Sequence, residues 1–124
     1  MNFAKWMFRL AGSYGIVILF PFYFVESNPQ AIPPPAITHP EYYYGFVGVS
    51  LAFQVVFLII STDPIKYRLL MIPAILEKFP FAIAVALLLA AGRVGIYILP
   101  GATIDAILGT LFVIAFWKTR TPKA

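Results

Sequence analysis

Four polar side chains stand inside runs of sequence that are otherwise apolar: Gln54, Glu77, Arg93 and Asp105. An ionisable group within a membrane-crossing segment is costly, and it is kept where it pairs, relays a proton or holds a ligand. Arg93 lies 15 residues after Lys78, and Asp105 lies 13 residues before Lys118. At about 1.5 Å per residue, these spacings give depths of roughly 22 and 20 Å from one plane. Arg93 and Asp105 are therefore expected either to meet on consecutive antiparallel helices as a structural lock, or to snorkel separately to the headgroups. Glu77 is expected to face the bundle and seek a donor such as Tyr67, Arg68 or Arg9, unless it is an interfacial charge that merely ends an apolar run. Lys78 is adjacent in sequence and turned by about 100°, so it is expected to point elsewhere and snorkel. Gln54 reads as a polar link between helices.

Signals for catalysis are missing. His39 is the only histidine and cysteine is absent, which excludes disulfides, thiolate metal sites and a bis-histidine haem. Glu41, two residues from His39, is a poor substitute for the missing ligands of a zinc set. The chain contains neither a G-x-S-x-G nucleophile turn nor a glycine-rich phosphate loop. No catalytic, metal or cofactor-binding residue is assigned, no cofactor is expected, and the reading leans away from an enzyme.

The elements that must position the polar residues follow from composition. Hydrophobic residues make up 61% of the chain and charged residues 11%, with a mean hydropathy of +0.88. A soluble domain carries about 25% charged residues, so the solvent here is lipid. The 124 residues suit a single all-α domain, a four-helix transmembrane bundle of two helical hairpins, with spans expected at about 3–25, 42–62, 73–98 and 102–118.

The first apolar run starts like a signal peptide, but no small-x-small site follows it, so it reads as a retained span. Pro21 is expected to kink or end it. Residues 26–41 carry Pro29, Pro33, Pro34, Pro35 and Pro40, which favours a stiff, extended, solvated loop. Tyr42, Tyr43 and Tyr44 then mark the headgroup level. In the second span, Gly45, Gly48 and Ala52 form the expected packing face, because small residues let helices approach closely in lipid. Asp63-Pro64 ends that span. The third is expected to be one long tilted helix frayed by Gly92 and Gly95, and Pro100-Gly101 turns the chain into a short fourth.

The net charge of +4 reads as topology, not as a nucleic-acid surface. Lys5, Arg9, Lys66, Arg68, Lys78, Lys118, Arg120 and Lys123 fall at the termini or the central connection, against Arg93 alone on the other side. By the positive-inside rule both termini are expected in the cytoplasm, giving a multi-pass protein of a bacterial inner membrane.

From the second span onward the chain resembles small bacterial four-span integral membrane proteins of unassigned function. The likeness rests on Tyr43-Tyr44-Gly45-Phe46, on residues 53–58, on Asp63-Pro64-Ile65-Lys66-Tyr67-Arg68, on Leu76-Glu77-Lys78, on Gly92-Arg93 and on Asp105 with Leu108-Gly109. It implies an inner-membrane setting and brings no activity with it. Small multidrug transporters share the size but need a glutamate in the first span, and residues 3–25 contain none. Quinone-coupled disulfide enzymes need cysteines. Fluoride channels need a glycine-rich arginine motif that is missing here. The expected role is an accessory or structural subunit packing against a membrane protein complex or a second copy. The alternative is a binder or carrier of a lipid-like small molecule, with Gln54, Glu77, Arg93 and Asp105 as its polar contacts.

Overall fold

The structure is a computed structural model that describes residues 2–26 and 38–120. The polyproline stretch expected at Pro29, Pro33, Pro34 and Pro35 lies outside the described residues. Helix α1 (Asn2–Leu19) runs on into a 3₁₀ turn at Phe20–Phe24. The change falls at Pro21, whose ring and missing N–H break the α-helical bonding pattern. Helix α2 (Pro40–Thr62) begins on a proline, where the absent N–H would have had no partner. It stops at Asp63, whose Oδ1 accepts from the Lys66 N–H at 3.1 Å. A 3₁₀ turn at Arg68–Leu70 leads into α3 (Met71–Ala90), and another at Ile96–Ile98 leads into α4 (Leu99–Lys118).

Pro73 and Pro100 sit in first turns of their helices, and among the described residues only Pro80 lies inside one. All four helices, with their 3₁₀ extensions, are long and apolar enough to cross a membrane. Among the described residues there is no strand, and the all-α four-helix class read from the sequence is the fold found.

Helix α3 ends at Ala90, well short of the expected Ile98. Gly92 adopts φ 71°, and its N–H donates to the Leu89 carbonyl at 3.0 Å while the Arg93 N–H donates to Leu88 at 2.9 Å. These two bonds close the last carbonyls of the helix in a left-handed glycine cap. Nothing lies within 4 Å of a Cβ placed on Gly92, so a substitution there meets only conformational strain. Gly92→Ala is expected to destabilise the protein by about 1 kcal/mol, read as a lower melting midpoint in detergent, with Gly92→Asn losing less. Helix α4 starts earlier than expected, and its 20 residues reach about 30 Å without needing extra turns.

α1 pairs with α2 and α3 with α4 as antiparallel hairpins. The hairpins meet most tightly at the end that holds Asn2 and Lys118. There Phe8, Phe57, Ile60, Met71, Ala74 and Phe112 are fully buried in one cluster. Phe8 and Phe112 stack with ring centroids 4.3 Å apart, and Phe57 meets Phe112 edge-on at 5.0 Å, arrangements that favour the ring quadrupoles.

Helix α2 turns Val47, Ser50, Gln54, Phe57 and Ser61 inward, a three-four spacing that makes one stripe. Gly45 lies two residues before Val47 and Ala52 two after Ser50, about 200° around the helix. The expected packing face is corrected accordingly: Gly45 and Ala52 are exposed and only Gly48 is half-buried. The close approach of α1 to α2 occurs at Gly12 and Gly15 instead. A Cβ on Gly12 would lie 2.8 Å from the Gln54 carbonyl oxygen, and one on Gly15 would overlap the Gln54 side-chain amide.

Candidate functional site

Helix α3 also has a three-four stripe, Met71, Ala74, Lys78 and Val85, and all four are buried. Lys78 is therefore an inward position, with 6% of its surface exposed. Its Nζ lies 3.3 Å from Glu77 Oε1 and 3.4 Å from Asp105 Oδ1, and donates a hydrogen bond to the latter. It also sits 5.2 Å from the Phe57 ring centroid, so the ammonium rests on the aromatic cluster below. Glu77 Oε1 is buried and accepts no hydrogen bond. Lys78 is close to the middle of the apolar stretch Arg68–Ala90, and Asp105 close to the middle of Ile96–Lys118.

This geometry corrects two expectations. Asp105 pairs with Lys78, while Arg93 lies exposed in the turn after α3. The matching depths of Arg93 and Asp105 hold only if Lys78 marks a surface, and Lys78 is itself mid-span. Second, Lys78 does not snorkel, and Glu77 finds its partner in that neighbour. Their Cβ atoms diverge, but the lysine stem is long enough to swing its ammonium back to the glutamate. Two of the donors proposed for Glu77, Arg68 and Arg9, are engaged toward the end of the bundle that holds Asn2 and Lys118. Arg68 Nε donates to the Phe116 carbonyl at 2.9 Å and its guanidinium stacks on the Phe116 ring. Arg9 Nε donates to Ser61 Oγ at 3.4 Å.

Next to the ionic cluster lies a cavity of 860 Å³ lined by residues of all four helices. Its base is polar: Gln54, Ser50, Glu77, Lys78 and Asp105. Its walls are largely apolar and aromatic, with Tyr14, Phe22, Phe46 and Phe81, and Gly45 and Gly101 lie among the lining residues away from the base. Gln54 is held by its own bond, Nε2 donating to the Ser50 carbonyl at 2.8 Å. Near Gly45 the α1 extension is tied to α2: Tyr43 donates to the Phe22 carbonyl at 2.7 Å, and the ring pairs Phe22–Tyr43 and Tyr23–Tyr44 stack. A shallower groove of 480 Å³ between α3 and α4 is lined by alanine, threonine and aliphatic residues and carries no charge.

Of the four polar residues singled out in the sequence, the cavity gathers Gln54, Glu77 and Asp105 and leaves Arg93 outside. Sequence reasoning missed Lys78, Gly12 and Gly15. The 71-74-78 spacing was a signal for the first, and Gly12-x-x-Gly15 beside Ala11 was one for the others. His39 is exposed, 3.5 Å from Glu41, and among the described residues no three His, Cys, Asp or Glu side chains group to hold a metal ion. Comparison with protein-family models, with curated proteins and with solved structures finds no match.

Proposed function

We propose that the protein binds a lipid-like small molecule in the cavity between its hairpins. The observation that carries this reading is the convergence of Gln54, Glu77, Lys78 and Asp105 at the base of one apolar-walled space. A few polar groups fixed at one end of a hydrophobic pocket are what orients an amphiphile, and 860 Å³ falls within the ~300–1,000 Å³ usual for small-molecule sites. An accessory-subunit role, favoured by size and by the missing catalytic set, predicts polar side chains locked in scattered pairs between helices. Here they share one open volume instead. The basic residues orient the protein with both termini in the cytoplasm of a bacterial inner membrane, as part of the same reading.

The test is native mass spectrometry after extraction in mild detergent. Wild-type protein is expected to carry a lipid-sized adduct. Gly101→Trp is expected to lose it with an unchanged melting midpoint, because the indole fills the cavity from the first turn of α4, where a Cβ meets nothing within 4 Å. An adduct-free protein isolated in a stable heteromeric complex would overturn the proposal.

A further inference from the structure

The charge balance of the cavity base narrows the class of ligand, given that the cavity is a binding site as proposed above. One ammonium, Lys78, stands between two carboxylates, 3.3 Å from Glu77 and 3.4 Å from Asp105. It donates a hydrogen bond to Asp105, while Glu77 Oε1, though ion-paired with the same ammonium, accepts no hydrogen bond. The other two helices do not correct this imbalance. The residues of α1 and its extension that line the cavity are Ala11, Tyr14, Ile18, Leu19 and Phe22, and those of α2 are Gly45, Phe46, Val49, Ser50 and Gln54. None of these carries a formal charge. Arg9 and Arg68 are engaged with Ser61 and Phe116 at the closed end of the bundle. The ionised cavity base therefore holds one negative charge in excess, surrounded by apolar and aromatic walls.

An anionic head would add a second uncompensated charge to this site, and a neutral one would leave the first in place. A cation supplies what is missing. Tyr14, Phe46 and Phe81 are among the lining residues, and aromatic rings attract positive charge and accept a hydrocarbon body. We infer that the cavity takes a hydrophobic cation, an amphiphile whose ammonium-like or other positively charged head is neutralised by Glu77 while its apolar part fills the aromatic walls. Glu77 is the ligand's counter-ion in this assignment, and Lys78 fixes the Asp105 carboxylate.

The probes are tetraphenylphosphonium and tetraphenylborate, ions of nearly the same size and shape with opposite charge. Their binding is measured on the full chain in nanodiscs of neutral phosphatidylcholine, with partition into empty nanodiscs subtracted. Wild-type protein is expected to bind the phosphonium at least about tenfold more tightly than the borate. Glu77→Gln keeps the shape of the side chain and is expected to bring that ratio close to one. Equal binding of the two probes by wild-type protein, or a preference for the borate, would overturn the inference. Should Glu77→Gln fail to fold, the wild-type ratio decides alone. The adduct lost on Gly101→Trp reports on occupancy whatever the ligand's charge. A retained adduct with no preference between the probes therefore removes the cation assignment and leaves the cavity a binding site.

Discussion

Lys78→Met is expected to destabilise the bundle by about 3 kcal/mol. Removing one partner of a buried ionic group costs roughly 3–5 kcal/mol, because the remaining charge keeps its desolvation penalty without its compensation. Here the remainder is two carboxylates, Glu77 and Asp105, with side chains 17% and 20% exposed. Their partial contact with the cavity places the cost toward the lower end of that range. Heated size-exclusion chromatography with fluorescence detection gives the melting midpoint. Adding Glu77→Gln and Asp105→Asn to Lys78→Met is expected to restore most of the loss, since no unbalanced charge then remains. A single variant that melts with wild type would show that Lys78 is not the charge holding α3 to α4.

The second large effect belongs to Gly12. A Cβ there would lie 2.8 Å from the backbone oxygen of Gln54 and 3.0 Å from Leu58 Cδ2. A main-chain carbonyl inside a helix cannot rotate away, so α1 and α2 must separate, at a cost of about 1–3 kcal/mol. Gly15→Ala differs in kind, because its obstacle is the Gln54 side chain. That side chain can leave at the expense of its bond to Ser50. In a double-mutant cycle, Gln54→Ala is expected to relieve Gly15→Ala and leave Gly12→Ala unrelieved. Equal rescue of both would mean that the helices adjust around either methyl.

The difference between these two glycines and the face expected at Gly45 shows where sequence reading reaches its limit. That the chain forms four apolar helices followed from composition and hydropathy, because burial in lipid leaves few alternatives. Helix stops were also legible at Pro21 and at Asp63-Pro64, since each acts through local backbone chemistry, whereas the cap at Gly92 ends α3 where a helix on to Ile98 was expected. Rotation about the helix axis is a different matter. In a chain that is apolar on every face, hydrophobicity does not distinguish lipid from neighbouring helix, and Gly45 is as suitable on that ground as Gly12. The three-four spacing of the rarer polar residues holds that information: Ser50, Gln54 and Ser61 on α2, and Lys78 on α3. A lysine beside an apolar run ordinarily marks the membrane surface, and Lys78 departs from that pattern. The 3₁₀ turn at Arg68–Leu70 starts the third span earlier, and this carries Lys78 about 10 Å into it from Met71.

The stacked Phe8 and Phe112, with Phe57 edge-on, have a consequence for direction. A molecule bound against Lys78, as proposed, would have this aromatic floor beneath it. This floor closes one end of the cavity, so its door lies away from Phe8 and Phe112. Under the proposed binding function, loading and unloading from that side would tie occupancy to the ligand's concentration there, as in a reservoir or sensor. Translocation to the far leaflet would require the hairpins to rock and unstack Phe8 from Phe112, opening a second door as the first one closed.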